Sequence, residues 1–295
     1  MDVEPPGGGE KYAGKHEALP PRWMPTSHGS KPVTGAMPVN LETALRYGFG
    51  DAAIRRYQWL VEKASHDGGD DGISKAYNDL GDAYAYVEES VNALRQFKRA
   101  IKVCPKRAEP HFSLAEFYRR NGKTPSALKE YRWAIELSPY NPFYHYRLGE
   151  ALSEAGFDRE AVAELETAVD LAPNDPFYHF WLAGLYLMIG KLESAIAEMQ
   201  QASMFAPRDS YYNLRLAVLY LIAGHNHDAV EALRRAVKLS PDNALYHCLL
   251  ADVYLNLGNN DAAMRHYQRA GDMDSYDREH ARRIREITEL PPADA

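Results

Sequence analysis

Residues 74–277 repeat at a fixed interval of 34 residues, and no other feature restricts the fold of this chain so tightly. Six units occupy 74–107, 108–141, 142–175, 176–209, 210–243 and 244–277, with no insertion or deletion between them. Counting positions within a unit, position 7 is leucine every time (Leu80, Leu114, Leu148, Leu182, Leu216, Leu250). Position 20 is always alanine (Ala93, Ala127, Ala161, Ala195, Ala229, Ala263), and so is position 27 (Ala100, Ala134, Ala168, Ala202, Ala236, Ala270). Position 8 is glycine or alanine, and position 11 is large, from Tyr84 to Tyr254. Position 15 is glycine except for Glu88 in the first unit, and position 32 is proline except for Ser275 in the last.

Positions 4, 7, 8 and 11 share one face of a helix. Small residues at 8, 20 and 27 let two helix backbones approach, and the larger residues at 7 and 11 fill the space between them. Glycine at 15 suits a left-handed helix terminus, and proline at 32 stops a second helix. Each unit therefore reads as a hairpin, with a first helix over about positions 2–14 and a second over about 18–31. One hairpin cannot cover its own apolar face, so its neighbours must.

This spacing resembles the tetratricopeptide repeat, over about 200 contiguous residues. The resemblance implies an all-α, right-handed superhelical solenoid of antiparallel helical hairpins. The main departure is position 4, often tryptophan in that family, which here is Tyr77, His111, His145, His179, Asn213 and His247.

The flanks read differently. Residues 1–40 hold seven prolines and six glycines without periodicity and are expected as a disordered or extended arm, with Trp23-Met24 its one apolar knot. Residues 41–73 are expected to form a degenerate helical hairpin, capped at Asn40 and Asp51, followed by a flexible polar linker over His66–Gly72. Residues 278–295 read as a polar capping helix ended by Pro291-Pro292, with a short tail.

Composition narrows the function. Apolar residues make up 45% and charged residues 25%, a soluble balance. The formal charge of −7 supplies no global attraction for nucleic acid, and none is expected as a partner. Two cysteines, Cys104 and Cys248, give no disulfide framework. No apolar run reaches the ~18–20 residues that span a bilayer. A cytoplasmic protein without membrane insertion is expected; a subunit docked peripherally on a membrane complex would look the same. Basic residues of units one and two, among them Lys106, Arg107, Arg119 and Arg120, are answered by acidic ones in unit three, including Glu150, Glu154, Glu164 and Glu166. This alternation is expected to be solvated outer surface, with the basic cluster available to orient an acidic partner.

Chemistry finds little support. The histidines at position 4 are one whole unit apart, on helices about 8–10 Å from one another, whereas zinc holds nitrogen ligands at about 2 Å. They are expected to bond locally, and no metal, cofactor or catalytic residue is assigned. Cys248 has no motif around it. An enzyme is a distant alternative.

The informative surface is the second face of each first helix, positions 2, 5, 9 and 12, extended by position 13. The family resemblance implies that this face lines a concave ligand groove. It is polar in the first unit and becomes apolar: Phe112, then Phe143 and Tyr146, then Phe177, Phe180, Leu187 and Met188. Units five and six add Tyr211, Leu214, Val218, Leu221, Ile222, Leu245 and Cys248. No unit combines lysine at 5 with asparagine at 9, so the family's carboxylate-gripping arrangement is not expected. The expected function is a protein-interaction scaffold or adaptor that binds an apolar helix or extended peptide along units three to six, as a subunit or assembly factor of a larger complex. Two alternatives stay open: the arm of residues 1–40 fills the groove, or the chain associates with itself. The partner's identity and the oligomeric state are not specified by the sequence.

Overall fold

The computed structural model describes residues 50–67 and 69–273, which form thirteen α-helices and no strand. The first, α1 (Gly50–Asp67), precedes six hairpins: α2 (Asp70–Tyr86) with α3 (Ser90–Val103), α4 (Ala108–Arg120) with α5 (Thr124–Leu137), α6 (Pro142–Glu154) with α7 (Asp158–Leu171), α8 (Pro176–Met188) with α9 (Leu192–Phe205), α10 (Ser210–Ile222) with α11 (Asn226–Leu239), and α12 (Ala244–Asn256) with α13 (Asn260–Met273). In units two to six the helices occupy positions 1–13 and 17–30, one residue earlier than the pattern predicts.

The packing follows the columns of the sequence. All twelve alanines at positions 20 and 27 are fully buried, and all six leucines at position 7 are buried. Position 8 shows why the column stays small. A Cβ added to Gly81 would sit 2.6 Å from the Phe97 ring of α3, and one added to Gly149 would meet the Ala161 carbonyl oxygen at 3.1 Å.

The tight turn within each hairpin is set at position 15. Gly122, Gly156, Gly190, Gly224 and Gly258 adopt φ between 67° and 80°. The chain then folds back so that the next amide bonds the helix it has just left, as Phe157 N–H does to the Leu152 carbonyl at 2.9 Å. Glu88 adopts φ 64° at the same position, a conformation a side chain disfavours. Between units, position 34 supplies the cap. Asn141, Asp175 and Asp209 each accept a hydrogen bond from the amide two residues on, and Asn243 from the amide three residues on.

One detail at the start of the array differs from the sequence reading. The stretch His66–Gly72 is mostly helical rather than a linker, since α1 runs to Asp67 and α2 begins at Asp70. Asp70 and Asp71 place carboxylates at the unbonded N–H groups of the first turn of α2, where negative charge is favourable. Asp71 also pairs with Arg107 of the next unit. Before α2, helix α1 buries Ile54 and Tyr57 in the cluster of Leu80, Tyr84 and Phe97, and Gln58 donates to the Tyr84 hydroxyl at 3.0 Å. The expected arm at 1–40, the first half of the N-terminal hairpin and the capping helix at 278–290 lie outside the described residues.

Two substitutions test this account. Glu88→Gly relieves the one non-glycine residue held at positive φ among the described residues, and urea titration should show a gain of about 1 kcal/mol. Leu182→Ala empties a wholly enclosed site in the middle of the array and should lower stability by about 2–5 kcal/mol. An unchanged unfolding midpoint would mean that the core face is misassigned.

Candidate functional site

The residues expected to line the groove divide into two sets. Tyr146, Phe180 and Cys248, all at position 5, are buried. Tyr146 packs edge-on to Phe177 with ring centroids 4.9 Å apart and lies 5.2 Å from Trp181. Phe180 meets Tyr211 and Tyr212, each at 5.8 Å. Tyr146 and Phe180 thus join consecutive first helices rather than line an open surface. At Tyr146 and Phe180, position 5 sits on the flank of the helix, where the next unit's first helix covers it. Phe112 does the same work between units two and three, stacking on Tyr144 at 4.8 Å and tilting onto Phe143 at 5.5 Å. The tyrosines at position 3, Tyr144, Tyr178, Tyr212 and Tyr246, take part in these joints. Their 34-residue spacing is itself a signal in the sequence.

The second set remains accessible. Phe143, Phe177, Leu187, Tyr211, Leu214, Val218 and Leu221 are partly exposed. Met188, Ile222 and Leu245 keep 39%, 55% and 56% of their surface in solvent.

Unit one is polar at the corresponding positions and units two and three mix aromatic with charged residues there, and part of that charge is closed on itself. Arg147 of α6 donates from Nε to Glu116 of α4 at 2.7 Å and from a terminal nitrogen to Glu150 at 2.6 Å, while the Tyr131 hydroxyl also bonds Glu116. Burial alone would raise the Glu116 pKa, but the charge and hydrogen bonds of Arg147 hold it below the usual value. Arg119 pairs with Glu154 at 2.7 Å. Arg107 pairs with Asp71 and Glu109. Of the basic cluster offered to an acidic partner, Arg107 and Arg119 are therefore occupied within the chain, while Lys106 and Arg120 are exposed. Asp82 lacks a comparable cation. Burial, with the charges of Asp79 and Glu109 adding to it, pushes its pKa up to about 8, and burial lifts Asp79 to about 6.

The position-4 histidines form a repeated polar joint. His111, His145 and His179 each place Nδ1 2.6–2.7 Å from a carboxylate oxygen at position 23 of the same unit: Glu130, Glu164 and Glu198. Nε2 of His145, His179 and His247 reaches the carbonyl of the preceding unit's position-32 proline (Pro139, Pro173, Pro241) at 2.8–3.1 Å. The His145, His179 and His247 rings thus each tie three segments together, and the rings do not converge. The bond to Glu164 raises the His145 pKa against the opposing effect of burial. In unit six the carboxylate is replaced by His266, whose Nδ1 lies 2.9 Å from that of His247. Burial and the neighbouring His247 lower the His266 pKa to about 4. Two acids of the outer surface thus have fixed partners: half-buried Glu164 holds His145, and exposed Glu166 accepts from the Tyr186 hydroxyl.

Among the described residues no group of three or more His, Cys, Asp or Glu side chains is placed to hold a metal ion, and no helix is long and apolar enough to cross a membrane.

Asp82 generates a pH prediction. The folded chain retains a proton that the unfolded chain releases near pH 4, so this residue subtracts stability increasingly as pH rises from about 4 towards 8. Asp82→Asn should raise the melting temperature at pH 8 and leave it unchanged at pH 4. A gain that is equal at both values would assign the effect to something other than charge.

Three family models match the chain: a tetratricopeptide repeat model over 214–278, a TPR repeat model over 116–156 and a further tetratricopeptide repeat model over 159–218. No curated protein matches it significantly. Many solved structures share the fold. The pilF protein of Pseudomonas aeruginosa aligns with TM-score 0.54 and 20% identity over 72% of this chain and 97% of its own. YrrB aligns with TM-score 0.53 and 18% identity, covering 64% and 97%. The MamA protein aligns with TM-score 0.51 and 19% identity, covering 57% and 92%. Helices, columns, turns and family models agree, and the chain belongs to the tetratricopeptide-repeat family.

Proposed function

We propose that this chain is a non-catalytic scaffold that holds a partner protein by an apolar helix or extended segment laid along the first helices of units three to six. The observation that carries this reading is the exposure of Met188, Ile222 and Leu245 at positions 13 and 2 of three consecutive first helices. Half-covered Phe177, Tyr211, Leu214 and Leu221 lie on the same helices. Large apolar side chains left in solvent along one row of helices mark an interaction surface, and a few such anchors dominate binding energy. The fold relative YrrB is a TPR protein with an unusual peptide-binding site, which supports a peptide or protein ligand for this chain as well. Buried Tyr146, Phe180 and Cys248 hold the platform together and are not contact residues in this reading. A cytoplasmic setting, or a place as a subunit or assembly factor on a larger complex, accords with it.

The test is the triple variant Met188→Ser, Ile222→Ser, Leu245→Ser. Its helical circular dichroism should match wild type, because none of the three is buried. Its affinity for a partner captured and identified with the wild-type chain should fall by more than about thirtyfold, equivalent to about 2 kcal/mol. Lys129→Glu with Glu193→Lys, on exposed parts of second helices, should change salt dependence and little else. Loss of binding in the second variant and not the first would move the ligand to the outer surface. Tighter binding after removal of residues 1–40 would identify the arm as the resident occupant. A dimer abolished by the triple variant would identify a second copy.

A further inference from the structure

The joint between positions 4 and 23 is missing from two units. In unit one its place is taken by Tyr77 and Gln96, and the Arg99 guanidinium lies 5.8 Å from the Tyr77 ring centre, so the space is filled. In unit five both partners shrink together: Asn213 stands where four units carry histidine, and Ala232 where three carry glutamate. Asn213 is too short to imitate the histidine. It donates to the Asp209 carbonyl at 3.2 Å and accepts from the Ser203 hydroxyl at 3.1 Å, and the histidine bond to the preceding proline is not made at Pro207.

A cleft of about 670 Å³ opens at this place, between α9, α10 and α11. Ser203, Asn213 and Leu216 are its buried lining residues, and Met204 and Leu239 add exposed apolar wall. Arg235 and Lys238 of α11 line it from solvent, and no carboxylate lines it. Neither cation has an ion pair or hydrogen bond among the described residues, whereas adjacent Arg234 is held by Glu231 and the Tyr254 hydroxyl. In units two to four the position-23 carboxylate brings negative charge beside the second helix. Here that carboxylate is gone and two cations remain.

We propose that this cleft is a second binding site, independent of the inner apolar strip, and that it takes an acidic side chain of an extended partner segment. Arg235 and Lys238 hold the carboxylate, while the partner's adjacent apolar side chain lies against Met204 and Leu239. Two observations favour a peptide over a lone anion. The cleft is many times the ~30 Å³ share of a single water molecule, so a small ion would leave most of it unfilled. Its walls are more apolar than an ion requires, and a cationic pair set beside apolar wall suits an acidic residue next to a hydrophobic one.

The full-length chain, isotopically labelled, is titrated with the acetylated peptide Glu-Leu-Asp-Leu-Glu, with Lys-Leu-Lys-Leu-Lys, and with inorganic phosphate. The acidic peptide should move the amide resonances of Ser203, Asn213 and Tyr220 saturably, and the basic peptide should not. Arg235→Ala with Lys238→Ala changes only exposed residues and should weaken the acidic peptide at least about tenfold. Asn213→His with Ala232→Glu restores the joint at the same nineteen-residue separation as His145 and Glu164, and should abolish binding without lowering the melting temperature. The proposal is overturned if millimolar acidic peptide gives no saturable shift at these residues or if the charge-removed variant binds as tightly as wild type. It is equally overturned if phosphate reproduces the shifts and displaces the peptide, which would make the cleft a small-anion site.

Discussion

Two helix backbones can pack closely only where the side chains between them are small, and in this array that contact is made at three columns per unit. The alanines at positions 20 and 27 have no exposed surface in any of the six units, and glycine or alanine faces them at position 8. At Gly81 and Gly149 even a methyl group would press on the opposing helix. This separation is what lets Leu at 7 and the large residues at 24, such as Phe97 and Tyr131, close the remaining space without voids. It also fixes where the next hairpin must sit, because the outer sides of the same two helices form its floor.

Polar groups buried by this packing are satisfied by a device that repeats with the fold. The histidine at position 4 has two ring nitrogens and uses them in opposite directions, one towards a glutamate on its own second helix and one towards the preceding unit's proline carbonyl. A buried imidazole with both nitrogens bonded avoids the cost of an orphaned polar atom. The same bonds stitch a hairpin to its predecessor, which apolar packing alone does without directional preference. The caps at position 34 act at the same junction, because each lies just after the proline and accepts from the amides that open the next first helix.

The surface changes character along the array because its polar groups pair off where they can. Around units two and three, Glu116, Arg147, Glu150 and Arg119 neutralise one another across the joint between α4 and α6. Further along, first helices such as α8, Pro-Phe-Tyr-His-Phe-Trp-Leu-Ala-Gly-Leu-Tyr-Leu-Met, carry apolar residues nearly all round. Only part of that apolar surface is covered by neighbouring hairpins. Unit five then combines an apolar first helix with the loss of both partners of the His–Glu joint, Asn213 and Ala232 standing in their places.

Much of the fold was legible in the sequence because its determinants are periodic. A column that must be alanine six times, or glycine where φ is positive, announces itself by spacing alone, and register alone puts Glu88 in the column of left-handed turns. The site was legible only in outline. Helical angle assigns position 5 to the inner face together with position 2, but Phe180 is buried and Leu245 is exposed. Which of them meets solvent depends on how far the next first helix overlaps the flank, a quantity set by packing between units. The partners of Glu164 and Arg107 were hidden for the same reason: they lie on other helices or in the next unit. Sequence by itself therefore determined the hairpins, their number and their order, through residues whose local backbone and size requirements repeat every 34 positions. Tertiary structure decided which inner side chains became joints and which stayed open, and it made a cleft of the paired Asn213 and Ala232 departures, because burial and hydrogen bonding between repeats arise only once neighbouring helices are stacked.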